Sequence, residues 1–277
     1  MTQRISANLI TLNEERNIAR CLESLTWADE IVIVDGGSQD RTVEIARRFT
    51  NKVFVYPFDG FASQRNRLLE HSTGDWILSM DADEVVPEEL AHEILWRTNV
   101  APPSCTGFWV PIESRIFGRR FRHCGTQAER KMRLFRRLAG RWQGLVHETV
   151  KLRGGTRQLC NAIEHHSTPD LDTYLRKLIR YSSLEAERMM AAGKRPNFWR
   201  AWLLPVWTFA KLYFGKLGML DGPEGLWFCL LSGLEKWITY QKFLENCHVV
   251  AHKVNADDFG ANPNGEEHRD EQIPVAA

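Results

Sequence analysis

Over the first hundred residues, short apolar runs alternate with stretches whose apolar positions recur every three or four residues. Ile5 to Ile10, Glu30 to Val34 (Glu-Ile-Val-Ile-Val), Lys52 to Tyr56 and Trp76 to Met80 have the length and β-branched content of strands. Between them, Ile18, Cys21, Leu22 and Leu25 share one helical face, Val43, Ala46 and Phe49 a second, and Ser63 to His71 forms a third helix. Thr11-x-x-Glu14 matches a capping box, which predicts that the first helix opens directly behind the first strand. Pro87-Glu88-Glu89 reads as a further helix start. Strands alternating with helices of this length predict right-handed crossovers and a mostly parallel sheet flanked by helices, an α/β fold. Ligands of such sheets bind beyond the carboxyl ends of the strands. Thr11-Leu12-Asn13-Glu14, Asp35-Gly36-Gly37-Ser38 and Asp81-Ala82-Asp83 all sit at such ends.

After Pro87 the alternation loosens. Gly107 to Ile112 and Met132 to Arg136 read as further strands, with basic loops around Arg115 to Arg122. Thr168-Pro169 opens a long helix through Tyr174, Leu175, Leu178 and Tyr181 that ends near Gly193. From Phe198 to Leu244 come Trp199, Trp202, Trp207, Trp227 and Trp237, five of the chain's ten tryptophans. Arg200, Lys211, Lys216 and Lys236 lie among them, and Pro205 and Gly222-Pro223 are expected to break the helices. This mixture suits a membrane interface, and equally a helical subdomain with tryptophans in its core. The expected organisation is an α/β domain over 1–167, a helical extension over 168–254, and a disordered acidic tail over 255–277.

Composition narrows the classes. A net charge of +1 gives no argument for nucleic-acid binding. The six cysteines are scattered without a CxxC pair, which favours a reducing compartment over a disulfide framework or a zinc site. Met1 to Glu15 lacks the apolar core of a signal peptide, and no apolar run approaches the roughly 18 residues of a spanning helix, so the expected location is cytoplasmic.

The chemistry concentrates in Asp81-Ala82-Asp83-Glu84. Strand alternation lets Asp81 and Asp83 point the same way, and clustered carboxylates repel unless solvated or neutralised. Spacing alone leaves two readings open, a site for Mg²⁺ or Mn²⁺ and a solvated turn before the next helix. Asp35-Gly36-Gly37-Ser38 lets backbone approach a ligand, with Asp35 placed to accept from a base or ribose. Neither a GxxxxGK[ST] loop nor a GxGxxG turn is present.

The succession Asn8-Leu9-Ile10-Thr11-Leu12-Asn13-Glu14, Val34-Asp35-Gly36-Gly37-Ser38-Gln39-Asp40, Gln64-Arg65-Asn66 and Asp81-Ala82-Asp83 resembles the inverting, family 2 glycosyltransferases of GT-A fold. Arg133-Leu134-Phe135-Arg136, Trp142, Val146-His147-Glu148 and His165-His166-Ser167 look like the bacterial branch that includes lipopolysaccharide-core glucosyltransferases. Phe209-x-x-x-Tyr213-Phe214 and Leu220-Asp221-Gly222-x-x-Gly225-Leu226 extend that likeness toward the C-terminus. Relatives often carry Trp-x-Pro-Asp before the Arg-Leu-Phe block, where this chain has Gly125 to Arg130, a departure that bears on the acceptor.

The resemblance implies a metal-dependent hexosyltransferase, with glucose as the expected sugar. The donor would be a nucleotide diphosphate sugar, a UDP-sugar before others, and the acceptor a lipopolysaccharide-core or other lipid-linked glycan. It implies that Thr11, Leu12, Asn13, Glu14 and Asp35 contact base and ribose, with Arg65 and Asn66 nearby. Asp81 and Ala82 would face the ribose, Asp81 and Asp83 the metal, and His166 would complete the metal or pyrophosphate shell. Glu148 is the implied general base, with His147 beside it. The Trp-rich helices would hold the enzyme peripherally on the inner face of the cell membrane. A nucleotidyltransferase and a non-catalytic sugar-nucleotide-binding scaffold are the competing readings.

Overall fold

A computed structural model describes residues 2–126, 129–144, 149–168 and 170–260. The strands β1 (Ile5–Thr11), β2 (Glu30–Asp35), β3 (Val53–Val55) and β4 (Trp76–Asp81) alternate with α1 (Ile18–Glu23), α2 (Thr42–Ala46) and α3 (Phe61–His71). Next come β5 (Glu84–Val85) and α4 (Glu88–Val100). A strand-rich stretch follows: β6 (Cys105–Ile116), β7 (Arg119–Arg120), β8 (Arg130–Arg136), β9 (Gly140–Gln143), β10 (Thr149–Leu152), β11 (Gly155–Gln158) and β12 (Ile163–Thr168). The remainder is helical: α5 (Leu171–Ala191), α6 (Phe198–Ala210), a π turn Lys211–Gly215, a 3₁₀ turn Gly218–Asp221 and α7 (Gly222–Gly260). The chain forms two compact units, Met1–Tyr174 with Leu212–Trp227, and Leu175–Lys211 with Phe228–Ala277.

The first unit holds one mixed sheet in the order β3-β2-β1-β4-β8-β6-β12-β5, the α/β architecture expected of a GT-A fold. Its β3-β2-β1-β4 half is wholly parallel, and β8 runs antiparallel between β4 and β6. The parallel strands are apolar on both faces because both faces are covered. Ile5, Ala7, Leu9, Trp76, Leu78 and Met80 pack on one side with Ile18 and Leu22 of α1 and Leu90 and Ile94 of α4. On the other side, Val32 and Val34 meet Leu68 of α3, and Ile77 and Phe135 meet Trp142 of the β9–β10 hairpin. Burying each such aliphatic side chain contributes roughly 1.5–3 kcal/mol.

Three local expectations fail for identifiable reasons. Thr11 does not cap a helix. It closes β1 and gives its hydroxyl to Asp35, while α1 begins only at Ile18 behind Asn17, so tertiary pairing outcompetes the capping box. Pro205 does not break α6, which runs through it and ends in the π turn, a place where helices absorb lost hydrogen bonds. Nor does β4 reach Asp83: it ends at Asp81, and strand alternation lapses before the second carboxylate.

The second unit packs Ala186, Ala201, Tyr240 and Phe243 into a small core. Asn197 caps α6 by accepting from the Trp199 and Arg200 amides, and Lys242 donates to the Ile179 carbonyl and to the Ser182 and Ser183 hydroxyls. Trp199, Trp202 and Trp207 are not part of that core; they are 71%, 56% and 65% exposed. No helix among the described residues is long and apolar enough to cross a membrane. Helix α7 continues to Gly260, into the segment whose composition suggests a tail, and residues 261–277 lie outside the described residues.

Candidate active site

The loops behind β1 and β2 are built as one object. Asp35 is fully buried. Its carboxylate accepts from the Thr11 hydroxyl at 2.7 Å, the Gly37 and Ser38 amides at 2.9 and 2.7 Å, and the Ser38 hydroxyl at 2.6 Å. Gly37 takes φ 97°, which a side chain would resist. Asn13 sits at φ 55° and spans the two loops: its amide donates to Ser38 Oγ at 2.8 Å and its Oδ1 accepts from Gln39 at 2.9 Å. The Glu14 amide donates to Thr42 Oγ1 at 2.7 Å. Leu12 is left projecting into solvent. Asp35 thus shapes the loops from within and presents no surface of its own.

At the end of β4, Asp81 lies between two arginines. Arg65 of α3, itself buried, donates to Ser79 Oγ at 2.6 Å and to Asp81 Oδ1 at 2.7 Å, with its guanidinium 4.8 Å from the centre of the Trp142 ring. Arg133 of β8 donates to Asp81 Oδ2 at 2.5 Å and also to Glu84. Glu84 accepts the Asp81 amide at 2.9 Å and closes the turn. Burial alone would raise the Asp81 carboxyl, but Arg133 and Arg65 hold it far below the usual carboxylate range. Glu84 has no solvent exposure, and that burial pushes its carboxyl upward despite Arg133. Ala82 is buried in the turn.

Asp83 has a different partner. Register on β12 pairs His165 with Glu84, and His165 Nε2 lies 3.2 Å from Asp83 Oδ2. Burial lowers the His165 imidazole, and Asp83, Glu84 and Asp81 outweigh it and hold the ring above its ordinary value. The next residue points to the opposite face. His166 Nε2 sits 3.4 Å from Glu164, and burial with Arg20 lowers its pKa; only its amide reaches Asp83, at 2.9 Å to the carbonyl. The structure therefore brings Asp83 to His165, where the sequence pointed to His166.

A carboxylate oxygen and an imidazole nitrogen side by side, 23% and 24% exposed, fit a divalent cation that takes its other ligands from diphosphate and water. Asp81 is occupied instead by Arg65 and Arg133, and its amide closes the turn onto Glu84. Among the described residues no three His, Cys, Asp or Glu side chains gather at one point, so the fit depends on ligand oxygens supplying the rest.

Asn66 is turned to the protein rather than to a ligand: its amide exchanges bonds of 3.0 and 3.1 Å with the Trp142 backbone and fastens the β9–β10 hairpin to α3. His147 and Glu148, between β9 and β10 in sequence, lie outside the described residues. The neighbouring Thr149 lines a cavity of about 410 Å³ together with Asp81, Arg133, Trp109 and Trp142.

The model of glycosyl transferase family 2 matches residues 6–163, more than half of the chain. This chain belongs to glycosyl transferase family 2. As a family 2 glycosyltransferase it is an enzyme, and the nucleotidyltransferase reading is set aside. It is 31% identical over 270 residues to the lipopolysaccharide core biosynthesis glycosyltransferase LpsC of Rhizobium meliloti (strain 1021), covering 92% of this chain and 96% of that one. It is 25% identical to the uncharacterized glycosyltransferase RC0292 of Rickettsia conorii (strain ATCC VR-613 / Malish 7), over 95% of this chain and 98% of the relative. Among solved structures, glucosyl-3-phosphoglycerate synthase from Mycobacterium tuberculosis in complex with phosphoglyceric acid matches 70% of this chain and 81% of its own, at 17% identity and a TM-score of 0.44.

Sequence reasoning passed over His165, Glu84 and Arg133 as site residues. Two were signalled: Glu84 extends the acidic run, and Arg133 opens the Arg-Leu-Phe-Arg block. Choosing between His165 and His166 requires the register of β12, which no local pattern carries.

Proposed function

We propose that this family 2 enzyme transfers a hexose, glucose before others, from a UDP-sugar to a hydroxyl of a lipopolysaccharide-core or other lipid-linked glycan, with inversion and with Mg²⁺ or Mn²⁺. The observation that carries the reading is the Asp83–His165 pair at the end of the parallel half-sheet, beside an Asp81 clamped by Arg65 and Arg133. Likeness to a lipopolysaccharide-core glycosyltransferase over nearly the whole chain supports the acceptor class.

In this reading the 11–14 loop and Leu12 hold base and ribose, shaped by Asp35 and Ser38 from below. Asp81 meets the ribose, and Arg133 and Arg65 keep it ionised against its burial. Asp83 and His165 hold the cation, and His166 is left to the wall behind them. When bound, the cation stabilises the negative charge that builds on the departing diphosphate. Glu148 takes the proton from the acceptor hydroxyl as that oxygen attacks the anomeric carbon opposite the leaving group, and His147 orients it. The exposed Trp199, Trp202 and Trp207, beside Arg200 and Lys211, rest on the inner face of the cell membrane, where lipid-linked acceptors are found.

Asp83→Ala tests the cation site. Transfer and Mn²⁺-dependent UDP binding are expected to be lost while the thermal midpoint and circular dichroism stay within error of the wild type. Undiminished turnover at saturating Mn²⁺ would refute the assignment.

A further inference from the structure

We propose that the cavity beside Asp81 is the acceptor subsite, and that it selects a sugar ring carrying a phosphate or carboxylate. The proposal rests on the glycosyltransfer reading above and adds the chemical class of the acceptor.

The cavity's volume, about 410 Å³, lies within the range of small-ligand sites and holds one or two sugar rings. It opens on the α3-and-hairpin side of the sheet and reaches Asp81, so its occupant lies against the carboxylate assigned to the donor side. The β6–β8 ladder shifts register between Phe108 and Trp109, and consecutive Met132 and Arg133 both line the cavity. Such an irregularity re-aims side chains at a site.

Trp109 supplies a platform. Its indole nitrogen donates to Thr156 Oγ1 at 3.2 Å, which pins one edge, and the residue is 39% exposed, far more than its flanking strand neighbours Phe108 and Val110. An open indole on a strand suits the apolar C–H face of a sugar. Trp142, in contrast, has a ring face taken by Arg65.

Charge supplies the selectivity. Arg65, Arg130, Lys131 and Arg133 line the cavity against Asp81 and Glu129. Arg65 and Arg133 are committed to Asp81 and Glu84. Arg130 spends one Nη on the Leu159 carbonyl at 3.2 Å, and among the described residues Lys131 reaches only the solvent-facing Glu129, at 3.5 Å. Arg130 and Lys131 are therefore the cations that meet an incoming anion, by charge-assisted hydrogen bonds.

Saturation-transfer NMR and calorimetry with glucose 6-phosphate, glucuronate and glucose test this on the full chain, with Mn²⁺–UDP binding measured in parallel. We expect at least one anionic sugar to bind saturably and glucose about tenfold more weakly. The two anions identify which group is read. In Arg130→Ala/Lys131→Ala the preference disappears, and in Trp109→Ala all three sugars weaken, with UDP affinity unchanged in both variants. No saturable binding of either anion, equal binding of glucose, or displacement of the sugar by UDP overturns the proposal. A wild-type chain that binds the anionic sugar but not Mn²⁺–UDP instead sinks the donor reading and leaves the subsite standing.

Discussion

Arg133 is the cation on which the end of β4 depends, and removing it should expose how much. Its guanidinium reaches both Asp81 and Glu84, and it is almost wholly buried. In Arg133→Met, Asp81 keeps Arg65, and about a third of its side chain is open to water, so its loss is moderate. Glu84 has no such relief. It is fully buried, and among the described residues its remaining side-chain hydrogen bond comes from the Asp81 amide. Stranding a buried charge in this way costs about 3–5 kcal/mol, limited by the ease with which an already raised carboxyl takes up a proton. For a chain of this size that is a fall of roughly 10 °C in thermal midpoint. Removing the charge as well, in Arg133→Met/Glu84→Leu, should return about 2 kcal/mol or more, because the penalty lies in the unpaired partner rather than in the lost pair. A urea-denaturation double-mutant cycle on the four chains measures this coupling. Additive effects, or a single variant within about 1 kcal/mol of the wild type, would refute the clamp. Mn²⁺–UDP binding on the stable double variant reports separately whether the clamp also aims Asp83.

Other predictions are simpler to state. Glu148→Gln should retain UDP binding and lose about 10²–10⁴-fold in kcat; near wild-type turnover would move the base elsewhere. Glu30 accepts from Lys52, Ser6 and Thr73, and these bonds outweigh burial and bring its pKa from 4.5 down to about 2. A depressed carboxyl stabilises the fold above its unfolded pKa and ceases to do so as pH falls through the folded one. Wild-type stability should therefore decline between pH 4.5 and about 2 more steeply than that of Glu30→Gln, and parallel curves would contradict the assignment. Trp202→Ser/Trp207→Ser should weaken partition onto anionic liposomes roughly tenfold without altering the urea midpoint; unchanged partition removes α6 from the membrane contact.

Legibility along the chain followed physical locality. The strands β1, β2 and β4 lie close to where the apolar runs placed them, because a strand covered on both faces must be apolar throughout. Thr11 was misplaced because a capping box is a local signal, and a buried carboxylate arriving from β2 offered its hydroxyl a better partner. Asn66 read as a donor contact because nothing near it in sequence announces Trp142, whose backbone it binds from α3. The tryptophans of α6 could be core or surface by composition, and only the smallness of the second unit's core leaves them outside it.

By itself, the sequence determined the alternation of strands and helices, the polar clusters at the strand ends, and a motif order specific enough to indicate the family. Tertiary structure alone decided which charge meets which. Arg133 and His165 come from strands laid down about 50 and 80 residues after Asp81 and Asp83, and their partners follow from strand order and register. A one-residue slip in β12 would exchange His165 for His166, since successive strand side chains face opposite ways. Local pattern records the periods of the elements, and it holds no term for the register between distant ones.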